Sequence, residues 1–224
     1  MVCHLKTGYA ETIAKISLDI GTIKLNTKEP FQWASGFFMP IYNNNRELLT
    51  HYRNRETVAK GFKEIIEQEK INYNLIAGTS TAGISPATTL ADLLKKDFVY
   101  VREKAKDHGM KQQVEGKYYG AEEAILIEDL ISTGGSSIKA VEGLRNAGIK
   151  VDYCLSIFNY NLDEAKAQFE NANCKTISLF DYSTLLKVAK DEGYINNNQL
   201  KILAEWRKDP WNWGKNHGFP RVEK

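Results

Sequence analysis

Apolar residues recur every three or four positions between residues 55 and 70, where one face of an amphipathic helix carries Val58, Phe62, Ile65 and Ile66. Short apolar runs, rich in β-branched and aromatic side chains, alternate with further helical patterns along the chain. The predicted strands are 74–78, 98–101, 124–128, 153–158 and 176–180, and the helices between them are 87–96, 136–148 and 162–173. This alternation predicts an α/β fold with a mostly parallel, twisted sheet flanked by helices.

Helix boundaries are indicated by capping residues and prolines. Ser85 followed by Pro86 predicts an N-cap and a first helical residue. Near the C-terminus, two short helices are predicted, ended by Gly193 and Pro210. We predict a single domain over residues 1–224, with an N-terminal helix and hood at about 1–50, the α/β core at about 51–180 and C-terminal helices at about 181–224.

The connection from Arg102 to about Gly120 has no hydrophobic period. It contains many charges and three glycines, and it is unusually long for a loop inside a compact domain. Such a segment is either a functional lid or disordered.

Composition limits the classes of partner. Lys and Arg number 30 against 28 Asp and Glu, so a net charge of +2 provides no global field for nucleic acid or an anionic membrane. The first twenty residues mix charges with apolar residues, unlike a signal peptide or a membrane span, so we expect a cytoplasmic protein. Three widely spaced cysteines without a CxxC pair argue against a disulfide framework or a zinc site.

The segment ILIEDLISTGGSS, residues 125–137, carries the main chemical signal. Glu128 and Asp129 follow a buried strand, so their carboxylates are expected to emerge at the sheet edge beside a ligand. Small residues then offer backbone N–H groups and hydroxyls at the start of a helix, where an anion is favoured: Thr133, Gly134, Gly135, Ser136 and Ser137. The segment predicts a monophosphate site next to two acids.

A P-loop is a rival phosphate site, and a plain turn is the simpler alternative. The segment GTSTAG has glycines at P-loop spacing, but Ile84 and Ser85 occupy the positions of the Lys and the Ser/Thr, and no GxGxxG occurs. The simpler alternative stays open, because the two acids could be solvated at a strand end and the glycines could merely turn the chain.

Residues 125–137 resemble, over their full length, the phosphoribosyl pyrophosphate (PRPP) signature of the type I phosphoribosyltransferases. The resemblance implies that Glu128 and Asp129 lie near the ribose hydroxyls and that residues 133–137 surround the 5′-phosphate. It also implies Mg²⁺ held mainly by the substrate, with Asp129 as a possible ligand. The family displaces pyrophosphate from ribose C1 through an oxocarbenium-like transition state, which neighbouring negative charge would stabilise.

The segment KAKDHG, residues 104–109, is similar to the mobile catalytic loop of orotate phosphoribosyltransferases. In that family the loop of one subunit reaches into the active site of its neighbour, so the resemblance implies a homodimer. It assigns catalytic or pyrophosphate-binding roles to Arg102, Lys106, Asp107 and His108. Many members have a basic residue after the arginine; here that position is Glu103, and Lys104 is expected to replace it.

The segment FQWASGFFMPIYNNNR, residues 31–46, resembles the substrate-covering segment of the same enzymes. Arg46 is therefore our candidate for the orotate carboxylate, and Phe37 or Phe38 for stacking on the base, although the aromatics could equally form a hairpin packed on the core. AGTSTAGIS, residues 77–85, is similar to the pyrophosphate loop, whose residues could hold the diphosphate or the pyrimidine, and Thr81 and Thr133 are our further candidates for binding orotate.

Taken together, these matches predict an orotate phosphoribosyltransferase that uses orotate and PRPP, with Mg²⁺ as cofactor. Two alternatives remain: a purine or uracil phosphoribosyltransferase, and a regulator that binds PRPP without catalysis.

Overall fold

The computed structural model describes residues 8–103 and 113–222. Its N-terminal part consists of a helix, two small antiparallel sheets and a one-turn helix. The elements are α1 (Gly8–Asp19), β1 (Ile23–Leu25), β2 (Phe31–Gln32), β3 (Phe38–Met39), β4 (Ile41–Asn43) and α2 (Asn45–Leu48). Strand β1 pairs with β4 and strand β2 pairs with β3.

A six-stranded sheet forms the centre of the molecule. Its strands are β5 (Leu75–Thr79), β6 (Asp97–Val101), β7 (Val114–Glu115), β8 (Glu123–Ile131), β9 (Lys150–Asn159) and β10 (Lys175–Asp181). They lie in the order β10-β9-β8-β5-β6-β7, and all neighbours are parallel except the antiparallel pair β6 and β7. The predicted mostly parallel α/β fold is confirmed.

Helices cover both faces of this sheet. They are α1, α3 (Tyr52–Gln68), α4 (Ile84–Leu94), α5 (Gly135–Asn146), α6 (Asp163–Asn171) and α7 (Tyr182–Asp191), while α8 (Asn197–Lys208) packs on α7, and α9 (Pro210–Asn216) packs on α8 and β3. Along β8, Ile125 and Ile127 belong to the apolar cluster that includes α1, α3 and α4, whereas Leu126 packs with α5 and α6. Both faces of the strand are buried, as the unbroken apolar run indicates.

One predicted helix boundary is wrong. Helix α4 begins at Ile84 after Gly83, so Ser85 is not its N-cap and Pro86 is its third residue. The reason is that the carbonyl of Gly83 already accepts a hydrogen bond from the N–H of Ala87 at 3.1 Å, and glycine is required there because a β-carbon would lie 2.2 Å from Oγ1 of Thr79. Pro210 not only follows α8 but begins α9, a helix that was not predicted.

No helix within the described residues combines the length and apolar character needed to cross a bilayer.

Candidate active site

A cleft of about 430 Å³ opens at the carboxyl ends of β5, β6 and β8. The polar residues that line it are Arg46, Thr79, Ser80, Thr81, Arg102, Glu103, Glu128, Asp129, Ser136 and Lys139. The sheet therefore brings together acids and cations from segments that are far apart in sequence.

Glu128 lies at the floor of this cleft and is only 5% exposed. Its Oε1 accepts hydrogen bonds from Oγ1 of Thr79 (2.7 Å) and from the backbone N–H of Asp129 (3.0 Å). Its Oε2 accepts a hydrogen bond from Oγ of Ser137 at 3.0 Å. Glu128 lines the cleft, as expected, but its carboxylate is buried rather than emerging toward solvent, because β8 continues three residues further, to Ile131.

Burial raises the pKa of Glu128 to about 8, and the negative charge of Asp129 acts in the same direction. Burial also raises the pKa of Asp129, while a hydrogen bond from Glu128 and the positive charge of Arg46 lower it. Two adjacent carboxyls in a low-dielectric site resist double ionisation. The Glu128 and Asp129 pair therefore carries less than two negative charges at neutral pH in the ligand-free protein.

Glu128→Gln is expected to reduce the pH dependence of stability. The folded protein keeps the Glu128 proton from the ordinary carboxyl pKa of 4.5 up to about 8, while the unfolded chain has released it. The free energy of unfolding of the natural protein should therefore fall as pH rises through this window. Glutamine retains an acceptor for Thr79 and can donate to Ser137, so the fold should be kept. Because glutamine has no proton to release, the free energy of unfolding of Glu128→Gln should depend less on pH.

Urea unfolding of the ligand-free protein at about pH 5.5, 7 and 8.5 measures this difference. The exposed Glu142 on α5 provides a matched control, since Glu142→Gln should keep the natural slope. Equal slopes for the natural protein and Glu128→Gln would contradict the assignment of a retained proton.

Asp129 is the acid that faces the cleft, and the N-terminal part of the chain holds its backbone. Nδ2 of Asn45 donates to the carbonyl oxygen of Asp129 at 2.6 Å, across 84 residues of sequence, and Asn45 is 1% exposed. The neighbouring Arg46 lines the cleft close enough to lower the pKa of Asp129. Helix α2 therefore places a cation beside the half-buried Asp129.

The predicted phosphate loop lies between β8 and α5. Gly134 has φ +88°, and a β-carbon there would meet Cε2 of Phe169 at 3.3 Å, so this turn requires glycine. Ser136 lines the cleft, and α5 begins at Gly135, as expected for an anion site at a helix N-terminus. The hydroxyl of Ser137, predicted to bind the phosphate, is fully buried and donates to Glu128 instead.

The relatives of the chain agree with this geometry. Residues 45–182 match the model of the family described as phosphoribosyl transferase domain. An orotate phosphoribosyltransferase of Streptococcus agalactiae is 43% identical over 204 residues, which are 91% of this chain and 98% of that protein. One of Bacillus cereus is 44% identical over 200 residues, or 89% and 95% of the two chains. This chain belongs to the orotate phosphoribosyltransferase family.

Solved structures share the fold of this family member. The orotate phosphoribosyltransferase of Aeropyrum pernix aligns with a TM-score of 0.69 at 24% identity, covering 82% of this chain and 99% of that chain. That of Mycobacterium tuberculosis, in complex with PRPP, aligns with a TM-score of 0.61 at 16% identity, covering 78% and 97%.

The catalytic-loop residues predicted by resemblance to the orotate phosphoribosyltransferases, Lys104, Lys106, Asp107 and His108, lie outside the described residues. The residues on either side are described. The N–H of Arg102 donates to the carbonyl of Gln113 at 2.9 Å, and Nε2 of Gln113 donates to the carbonyl of Arg102 at 2.8 Å. Arg102 and Glu103 line the cleft, so the chain leaves and re-enters the described structure beside it.

Phe37 and Phe38 are not among the residues that line the cleft. The ring of Phe37 packs edge-on against Trp211 (5.3 Å between centroids), and that of Phe38 lies 5.9 Å from Phe219. The prediction that one of them stacks on the base is not supported by this arrangement, because aromatic partners from the C-terminus occupy both rings. The alternative that these aromatics pack as a hairpin fits the structure.

Asn45 and Lys139 were not recognised from the sequence. Lys139 stands one helical turn after Ser136, so the predicted helix alone would have placed both on one face. Asn45 had no such signal, because its partner is a backbone carbonyl far along the chain.

Proposed function

We propose that this protein transfers the phosphoribosyl group of PRPP to orotate, giving orotidine 5′-monophosphate and pyrophosphate. The observation that carries this proposal is the meeting of Asp129, Arg46 and Ser136 in one cleft, within a chain whose curated relatives are named orotate phosphoribosyltransferase. The cleft offers an acid for the ribose, an anion-binding helix start for the 5′-phosphate and a cation for a carboxylate.

Asp129 is the negative group best placed to stabilise positive charge that develops at ribose C1 as pyrophosphate departs. Glu128, which accepts hydrogen bonds from Thr79 on β5 and Ser137 on α5, holds β5, β8 and α5 together beneath Asp129. On the leaving-group side, the Ser80–Thr81 turn and Arg102 line the cleft. Lys106 and His108, from the adjoining segment, are proposed to neutralise the departing diphosphate or to protonate it.

Mg²⁺ is proposed as the cofactor. Magnesium prefers oxygen ligands and keeps several waters, so one cleft-facing carboxylate beside substrate oxygens is sufficient. The site fits this requirement, because Asp129 presents a carboxylate whereas the oxygens of Glu128 are occupied by hydrogen bonds. Bound with the diphosphate, the ion would offset the charge of the leaving group.

We further propose that the protein works as a homodimer in which residues 104–109 of one subunit serve the cleft of its partner. The proposal rests on the similarity of KAKDHG to the family's catalytic loop.

A spectrophotometric assay of the purified protein with PRPP, Mg²⁺ and a panel of bases tests the function. Orotate should be consumed with release of pyrophosphate, whereas uracil, adenine and hypoxanthine should react at least ~100-fold more slowly, because only orotate offers a carboxylate to Arg46. Preference for another base would identify a different phosphoribosyltransferase. PRPP binding without turnover of any base would indicate a regulator.

Arg46→Ala is expected to lower the activity with orotate selectively. A charge-assisted hydrogen bond to the carboxylate would be lost, so kcat/KM for orotate should fall by about 30- to 300-fold while the low rate with uracil changes little. Steady-state kinetics with both bases measure the change in preference. Arg53→Ala serves as the control, because Arg53 lies over the ring of exposed Tyr52, outside the cleft. An unchanged orotate-to-uracil ratio would remove Arg46 from the carboxylate site.

A further inference from the structure

The tryptophan-rich C-terminus forms a distinct structural feature that the reaction does not explain. We call residues 209–222 the strap. It is attached to the body of the protein in two places: Trp213 is 2% exposed within the main apolar cluster, and Nε1 of Trp211 donates to Oε1 of Glu164 on α6 at 2.7 Å. Helix α6 in turn packs against the phosphate loop at Gly134. One side of the strap is therefore fixed to the core.

The other side of the strap lies on the β2–β3 hairpin. Nε of Arg221 donates to the carbonyl of Ser35 at 3.1 Å, and its guanidinium lies 4.7 Å from the centre of the Phe37 ring. The N–H of Val222 donates to the carbonyl of Gly36 at 3.1 Å. Together with the ring contacts of Trp211 and Phe219, two hydrogen bonds, a cation–π pair and two aromatic pairs join the same two segments.

Both surfaces are shaped for this contact. A β-carbon at Gly36, which has φ +84°, would lie 2.0 Å from the carbonyl oxygen of Val222. On the strap, a β-carbon at Gly214 would lie 2.8 Å from the carbonyl oxygen of Phe38. A glycine on each side thus lets the backbones approach more closely than any other residue would allow.

The hairpin needs such support, because β2 and β3 have two residues each and a two-stranded ribbon of this size is marginal alone. The hairpin is also linked to the cleft. Nε1 of Trp33 donates to the carbonyl of Ile41 at 2.9 Å, and the chain runs from there through β4 into α2. Helix α2 carries Asn45, bound to Asp129, and Arg46.

We infer that the strap is a positioning element for the base-binding side of the site. It holds the β2–β3 hairpin so that β4 and α2 present Arg46 to the substrate carboxylate. This inference rests on the proposed function, in which Arg46 contacts orotate. If the strap is loosened, orotate binding must order the hairpin as well, and affinity falls by that ordering cost. PRPP should be affected little, because its predicted loops follow β5 and β8 directly.

The test compares three chains. Arg221→Ala removes one hydrogen bond and the cation–π pair, and a chain ending at Gly218 removes the contacts of Phe219, Arg221 and Val222 while keeping α9. Lys215→Ala is the matched control, because it deletes an exposed cation of the same strap. We expect KM for orotate to rise about 3-fold for Arg221→Ala and about 10-fold for the shortened chain, with kcat and KM for PRPP within about twofold.

Hydrogen exchange provides a readout that does not need activity. The amides of Trp33 and Gly36, which bond within the hairpin turn, should exchange faster in both strap variants than in the natural protein and in Lys215→Ala. Unchanged exchange at these amides and an unchanged KM for orotate would overturn the inference. Equal rises in the KM values for orotate and for PRPP, together with a lowered melting temperature, would also overturn it, since they indicate general destabilisation. Absence of orotate turnover in the natural protein would instead refute the proposed function. The hydrogen-exchange result would still show whether the strap holds the hairpin.

Discussion

Asp129→Asn is expected to lower kcat by at least about 100-fold while the protein stays folded. Asp129 is the carboxyl that reaches the cleft, since Glu128 below it is buried and hydrogen-bonded to Thr79 and Ser137. An asparagine has nearly the same shape but no charge, so it cannot stabilise positive charge at ribose C1. It would also leave Arg46 without its acidic neighbour.

Initial rates at saturating orotate, PRPP and Mg²⁺ measure this effect, and thermal unfolding checks that the fold is intact. Asp152→Asn is the matched control. Asp152 is an exposed residue near the start of β9, paired with Lys150, at the opposite end of the sheet from the cleft. Activity close to that of the natural protein in Asp129→Asn would mean that the acid only solvates a strand end, and the proposed mechanism would fail.

The contrast between these neighbouring acids shows what the sequence could predict. Each of the five predicted core strands is present, and the central strands β5 and β8, buried on both faces, leave the unbroken apolar runs by which they were predicted. The depth of Glu128 could not be predicted. It depends on Leu130 and Ile131 pairing with Phe158 and Asn159 of β9, which extends β8 past the acids. The sequence predicted that this strand ends at Glu128, three residues before its end at Ile131.

Contacts between distant segments were also beyond prediction. For the two aromatic residues of the hairpin, the sequence left open whether they face the base or pack on the core, because their partners, Trp211 and Phe219, come from the other end of the chain. A pattern of local spacing contains no information about such pairs. The buried bond from Asn45 to the carbonyl of Asp129 is invisible for the same reason. Of the predicted residues, Ser136 on the phosphate side and Arg46 and Thr81 on the base side line the cleft, whereas Ser137, Phe37 and Phe38 have partners elsewhere.

The second large effect is expected at the predicted catalytic loop. Lys106→Ala or His108→Ala should reduce kcat by at least about 100-fold, because each removes positive charge or a proton donor from the departing diphosphate. Stopped-time assays of pyrophosphate release measure the loss. Lys117→Ala is the control, since Lys117 lies over the ring of exposed Tyr119 and outside the cleft. Undiminished kcat in both loop variants would remove the loop from the chemistry.

Mixing Lys106→Ala with Asp129→Asn distinguishes a loop that acts within its own subunit from one that acts on the neighbouring subunit. If Lys106 serves the partner's cleft, a hybrid dimer of Lys106→Ala and Asp129→Asn has one cleft with an intact acid and an intact loop. Random exchange makes half of the dimers hybrid, so about a quarter of the natural activity should return. A loop that serves its own subunit leaves every cleft with one defect, and the mixture would stay inactive. Recovery of the Asp129→Asn chain with an affinity tag carried only by the Lys106→Ala chain would show that hybrids formed, so that a silent mixture counts against sharing of the loop rather than against exchange of subunits.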